Sequence, residues 1–206
     1  MKILEIEKHS IDELIANMRQ VQMLTKPGVL PYEKAKIELL TLRPEQIAPA
    51  QRYVLRDEIN KIRELRWGLE QYGVDLFYLD GYVTIRLADC DDLIDVLPPV
   101  VEVSNEDNDR EVKILNDGMH RVYMALTSWS DIRVVLIDGV PPEYPYYAYP
   151  LYNGWDGVEV LNELPEEAEG YIKKWHRFPN NKDYYRNFNS GGFQNVGGPR
   201  PPKKAA

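Results

Sequence analysis

The sequence predicts an α/β (α+β) domain with N- and C-terminal extensions, and three observations carry that prediction. Between residues 111 and 137 a β-prone run, an Asp-Gly turn, an amphipathic helical stripe and a second β-prone run follow one another. Residues 57–72 place apolar side chains on one helical face and charges on the other. The composition is that of a globular chain: of 206 residues, 44% are hydrophobic and 28% charged. No stretch reaches the roughly 18 consecutive apolar residues of a membrane-spanning helix. At about 100–200 residues per domain, this length suits one domain with extensions.

In chain order, Ser10 and Glu13 form a capping-box pattern and Leu14, Ile15, Met18 and Val21 follow at helical spacing, which predicts a helix over 10–22. Lys26-Pro27-Gly28 ends it. The leucine-rich run 34–42, closed by Arg43-Pro44, predicts a strand. In 57–72 the core stripe is Ile59, Ile62, Leu65, Leu69 and Tyr72, opposite four positive and four negative charges between Arg56 and Glu70. Asp80-Gly81, between the β-prone halves of 75–87, predicts a hairpin. Asp91-Asp92 open an acidic turn that Pro98-Pro99 stop. Strands are expected over 99–103, 111–115 and 132–137. The first two flank a polar loop, and a helix over 119–129 carries Val122, Ala125, Leu126 and Trp129 on its apolar face. After Gly139 the chain becomes rich in proline and tyrosine, which predicts an extended segment laid along the body. A short helix is expected within 164–178. From Asn187 the Gly-, Pro- and Asn-rich tail is expected to be mobile unless a ligand or partner orders it. These features divide the chain into an N-terminal helical extension (1–33), a central domain (34–140) and a Pro/Tyr-rich wrap with a basic tail (141–206).

Charge is unevenly spread. The segment from Lys173 onward holds eight Lys or Arg and one acid, Asp183, so it carries +7 while residues 1–172 carry −15, within a net charge of −8. An acidic body repels a nucleic-acid backbone, whereas the tail could grip one or fold over an anionic ligand. Cys90 is the single cysteine, which excludes an internal disulfide framework and any cysteine-based zinc cluster. The N-terminus MKILEIEKHS lacks the apolar core of a signal peptide, so the expected location is the cytoplasm, without membrane association.

The chemistry concentrates in KILNDGMHRVYMAL, where a strand leads directly into Asn116-Asp117-Gly118-Met119-His120-Arg121 and a helix begins inside the motif. Asp117 is a good helix cap, Gly118 allows close backbone approach, and the amides of Met119 to Arg121 point at whatever lies before the helix. Arg121 supplies a guanidinium fork suited to phosphate, and His120 can donate a hydrogen bond or shuttle a proton. Spacing alone makes this a phosphate site or a structural turn.

The box, with the upstream stretch LLTLRPEQIAPAQRYVLRDEINKIRELRWGL, resembles the ParB/sulfiredoxin superfamily over residues 36–138. The resemblance implies a small mixed sheet and a box that holds nucleotide phosphates. Met119 stands where sulfiredoxins need a cysteine, so sulfiredoxin activity is not expected. His120 replaces the first of the two box arginines of partition proteins, and no helix-turn-helix follows. The Asp-Gly-x-His-Arg form is more similar to the stand-alone branch, which includes ParB-like nucleases and free-serine kinases.

That branch implies a nucleotide-dependent phosphotransferase that uses Mg²⁺ and ATP, ADP or CTP, with a small-molecule or nucleoside-like hydroxyl as acceptor. Phosphoryl transfer needs phosphate-binding amides and cations, and a carboxylate that orients or deprotonates the acceptor. Asn116, Gly118, Met119, His120 and Arg121 are the expected phosphate contacts. Asp117 caps the helix or reaches the metal through water. Glu45, then Glu58 and Glu102, are the candidate bases. Gln51 and Arg52 occupy the loop that approaches the nucleotide. Trp155 either stacks on a base or anchors the extended segment, and Lys173, Lys174, His176 and Arg177 either close over the phosphates or form a solvated patch. A nucleotide-binding switch and a nuclease gripping nucleic acid through its basic tail are the alternatives.

Overall fold

The structure, a computed structural model, describes residues 1–106, 110–165 and 174–197. Its elements in chain order are β1 (Ile3–His9), α1 (Ile11–Arg19), β2 (Gln22–Met23), β3 (Lys36–Leu42), β4 (Tyr53–Leu55), α2 (Arg56–Glu70), β5 (Tyr82–Leu87), β6 (Cys90–Val96), β7 (Val100–Glu106), β8 (Arg110–Asp117), α3 (Met119–Thr127), β9 (Ile132–Asp138), β10 (Glu159–Leu161) and β11 (Arg186–Asn187).

The central layer is a four-stranded mixed sheet in the order β3-β9-β7-β8, with β9 and β7 parallel and the outer pairs antiparallel. Its two faces are covered by different helices. Val100, Val135 and Ile137 pack with Leu14 and Met18 of α1, while Val101, Val134 and Leu136 pack with Val122, Met124 and Ala125 of α3. Residues of both parities are therefore buried, which is why VVLI, 134–137, reads as a continuous apolar run. An antiparallel sheet, β1-β5-β6, packs Ile3, Val83, Ile85 and Ile94 against Leu65 and Leu69 of α2. Two short pairs, β4 with β10 and β2 with β11, tie the remaining segments on. The capping box at Ser10 forms as expected: Ser10 Oγ accepts from the Glu13 amide at 3.2 Å.

Four expectations need correction. Asp80-Gly81 does not turn a hairpin. Asp80 pairs with Arg133, and Gly81 lies so close to β1 that an added Cβ would sit 2.0 Å from the His9 carbonyl oxygen. The hairpin is β5–β6, and Asp91 and Asp92 lie within β6, a sheet-edge strand, rather than in a turn. Trp129 is not on the apolar face of α3. That helix ends at Thr127, and Trp129 follows with φ 53° and 93% exposure. The tail is fixed through Val196: Phe193 is buried among α1 residues, the Asp95 and Gln194 backbones bond at 2.9 Å, and the Gln194 amide donates to Asp95 Oδ2 at 2.7 Å. The helix expected within 164–178 falls largely on 166–173, outside the described residues. Among the described residues, no helix is long and apolar enough to cross a membrane.

Candidate functional site

The box is shaped by a β-bulge. Val100 pairs with Asp117 and Val101 with Leu115, so Asn116 is an extra residue in β8, and a bulge of this kind re-aims its side chain. The chain then passes through Gly118 at φ 91°, where an added Cβ would meet Pro99 Cβ at 2.8 Å. Only glycine suits this position. Gly118 is the N-cap residue of α3, and its carbonyl accepts from the amides of Arg121 and Val122, both at 3.0 Å.

Asp117 is therefore not the helix cap. No side chain caps α3, and the Asp117 carboxylate instead accepts from Arg121 Nη2 at 2.9 Å. Arg121 itself departs from the expectation. Its side chain is buried and turned inward, bonded to Asp117 and to the carbonyl of Leu97, so a phosphate before α3 would meet amides and His120 rather than this fork.

His120 makes the contact that brings two elements together. Its Nε2 accepts from the amide of Leu55 at 3.0 Å, and Leu55 is the N-cap residue of α2, also without a side-chain cap. An accepting Nε2 leaves the ring hydrogen of the neutral form on Nδ1. Burial is the main cause that lowers the His120 pKa, with the nearby carboxylates of Glu58 and Asp117 opposing it. The uncapped starts of α2 and α3 thus meet at one imidazole. Sequence reasoning missed this partner of the box, because nothing near 55 signals a contact 65 residues away.

The other candidates are dispersed. Glu102 is buried and fully occupied, accepting from Tyr32, Asn116 and Arg186, which removes it as a candidate base. Glu58, in the first turn of α2, pairs with Lys61 at 2.6 Å. Glu45 is exposed on the 3₁₀ turn Pro44–Gln46, which packs against α3. Gln51 donates to the Tyr53 carbonyl at 2.7 Å, and Arg52 lies 6.0 Å from the centre of the Trp175 ring. Trp155 is an anchor: its Nε1 donates to the carbonyls of Pro44 and Ile47 at 2.9 and 2.8 Å.

Lys174 bonds the Tyr147 hydroxyl, His176 bonds Asn181 at 2.7 Å, and Arg177 pairs with Glu106, so these side chains serve local contacts; Lys173 lies outside the described residues. A cavity of about 490 Å³ runs between β8 and residues 150–156 and includes Glu45 and Trp155. It lies beside the box, not over it. Among the described residues, no three His, Cys, Asp or Glu side chains are grouped to hold a metal.

A two-faced mixed sheet carrying a strand, bulge, left-handed glycine and helix in succession is consistent with a ParB-like domain. The family model of the ParB CE domain matches residues 13–159, most of the chain, and the chain belongs to that family. The match takes in most of α1 and the Trp155 anchor, beyond the 36–138 of the sequence resemblance. No curated protein and no solved structure matches the chain.

Proposed function

We propose that the chain is a nucleotide-dependent phosphotransferase acting on a small-molecule or nucleoside-like hydroxyl, with the phosphates held where α2 and α3 begin. The observation that carries this reading is the Leu55–His120 bond, which joins two uncapped helix starts. Each helix start contributes partial positive charge and forward-pointing amides, a combination that favours phosphate. Membership of a ParB-like family supports a nucleotide- or nucleic-acid-related role in general terms. His120 would act as a neutral Nδ1–H donor, Gly118 would admit the phosphate to the backbone, and Arg121 would hold the turn from behind. Glu58 and Glu45 are the carboxylates left to orient an acceptor hydroxyl. Mg²⁺ would bind chiefly through the nucleotide phosphates, with Asp117 or Glu58 as the protein carboxylate, in keeping with how that ion is usually held.

Calorimetry and thermal shift with ATP, ADP, CTP, GTP and inorganic phosphate, each with Mg²⁺, test the reading. A ligand at a hundred times its Kd adds about 2.7 kcal/mol of stability. The expected result is a preference for one nucleotide that His120→Ala abolishes, followed by phosphoryl transfer to a hydroxyl acceptor. A flat panel would reduce the box to a structural turn. Binding without turnover would leave a nucleotide-responsive switch in place of the kinase.

A further inference from the structure

We infer that the C-terminal segment regulates the box: Arg186 on β11, acting through Glu102 and Asn116, holds the β8–α3 turn in its ligand-binding shape. The inference rests on the proposed site for its functional meaning, but the coupling itself is a property of the free protein.

Glu102 Oε1 accepts from Asn116 Nδ2 at 2.5 Å, Tyr32 Oη at 2.5 Å and Arg186 Nε at 3.0 Å, while Oε2 accepts from Arg186 Nη2 at 2.9 Å. The guanidinium also donates to the carbonyls of Tyr184 and Tyr144, at 2.8 and 2.7 Å. Side-chain exposure of this ion pair is 0% for Arg186 and 2% for Glu102. A buried pair of this kind gives little net stability over an apolar replacement, so its distinguishing effect is geometric. It fixes an acceptor for Asn116. Asn116 is the bulged residue of β8, two positions before Gly118, whose left-handed backbone and contact with Pro99 allow little latitude. The direction of the first α3 amides therefore depends on where Asn116 is anchored.

Arg186 reaches Glu102 because β11 pairs with β2, a contact of only two residues per strand. If the C-terminal segment lifts, Glu102 loses its guanidinium counter-ion and stays a buried carboxylate that keeps the Tyr32 and Asn116 bonds. A buried carboxylate without its counter-ion is costly and is drawn toward water, and that movement weakens its hold on Asn116. By linkage, a ligand that favours the ordered box also favours the docked segment.

Hydrogen exchange on the full chain, without ligand, tests the coupling, and ATP with Mg²⁺ is then added as the probe. Arg186→Met is expected to speed exchange of the 116–121 amides at least tenfold while the β1-β5-β6 sheet stays protected. Glu102→Gln combined with Arg186→Met, which leaves no unpaired buried charge, serves the same purpose if the single variant does not fold. Asn116→Ala should loosen 116–121 with 184–197 still protected, and adding Arg186→Met to it should change the box no further. Unchanged box exchange in the Arg186 variants, or additive effects of Arg186→Met and Asn116→Ala, would overturn the inference. A wild-type chain that shows the coupling but ignores ATP would sink the proposed function alone. One that binds ATP, with the box unaffected by Arg186→Met, would sink this inference alone.

Discussion

The amide of Leu55 and Nε2 of His120 meet at 3.0 Å, so the first residue outside α2 is bonded to the second residue of α3. Two helices whose sequences lie far apart thereby begin at the same place, with a ring that must be neutral at Nε2 to accept the bond. Protonation of His120 would replace an attraction with two donors facing each other, in surroundings where burial already disfavours the charge.

A pH dependence follows. Folding lowers the His120 pKa below its ordinary 6.5, so on acidification the unfolded chain takes up the proton first. This contribution to stability is complete above about pH 6.5 and is lost as pH falls toward the lowered folded-state value. In thermal melts, the Tm of the wild type should fall more steeply through that window than the Tm of His120→Gln, whose amide oxygen can still accept from Leu55. Parallel curves would mean that His120 is not held neutral.

Arg121 should behave as a structural residue of the turn. Its guanidinium is buried between Asp117 and the Leu97 carbonyl. Charge-assisted bonds of this type are worth about 1.5–3 kcal/mol each when a partner is removed. Arg121→Ala should therefore lower the urea midpoint markedly, and Arg121→Lys should not restore it, since one ammonium cannot reproduce the fork. An unchanged midpoint with lost nucleotide affinity would instead place the guanidinium on the ligand.

Gly118→Ala tests the backbone of the box. Alanine at φ 91° is strained by about 1–3 kcal/mol, and its methyl would press on Pro99. The expected outcome in chemical denaturation is a loss of that order, with loss of nucleotide affinity in calorimetry at temperatures where the variant is fully folded. Retained affinity would show that the α3 amides do not take part.

What could be read from the sequence divides along physical lines. The strand β9 was legible because α1 and α3 bury alternate residues of 134–137, leaving the uninterrupted apolar run VVLI, while the mixed character of the sheet came from the family resemblance. The box was legible because Asp-Gly between a strand and a helix is local information. Asp80-Gly81 misled because a turn signal does not state what the glycine is for: Gly81 is required by the passage of His9 beside it. Trp129 misled because the helical stripe continued for two residues after the helix stopped. Arg186 and Glu102, 84 residues apart, pair through tertiary geometry that no window of sequence contains.

Phe193 is the sharpest case, since a tail that reads as mobile contains one aromatic that is 4% exposed. Its ring stands edge-on to Tyr82 with centroids 5.4 Å apart, inside the cluster that α1 shares with the central sheet. Before it come Gly191 and Gly192, where an added Cβ would approach Gln20 and Asn17 to within 2.7 and 2.9 Å, so the glycines let the chain lie flat on the end of α1. Removing a buried phenylalanine costs about 3–5 kcal/mol when the site cannot collapse. Phe193→Ala should lower stability by that order and open 187–197 to proteolysis, while Phe193→Leu, which keeps most of the apolar volume, should do much less of both. If Phe193→Ala leaves urea unfolding and cleavage unchanged, the segment contributes nothing to the core, and the hold of Arg186 on Glu102 would have to rest on β11 alone.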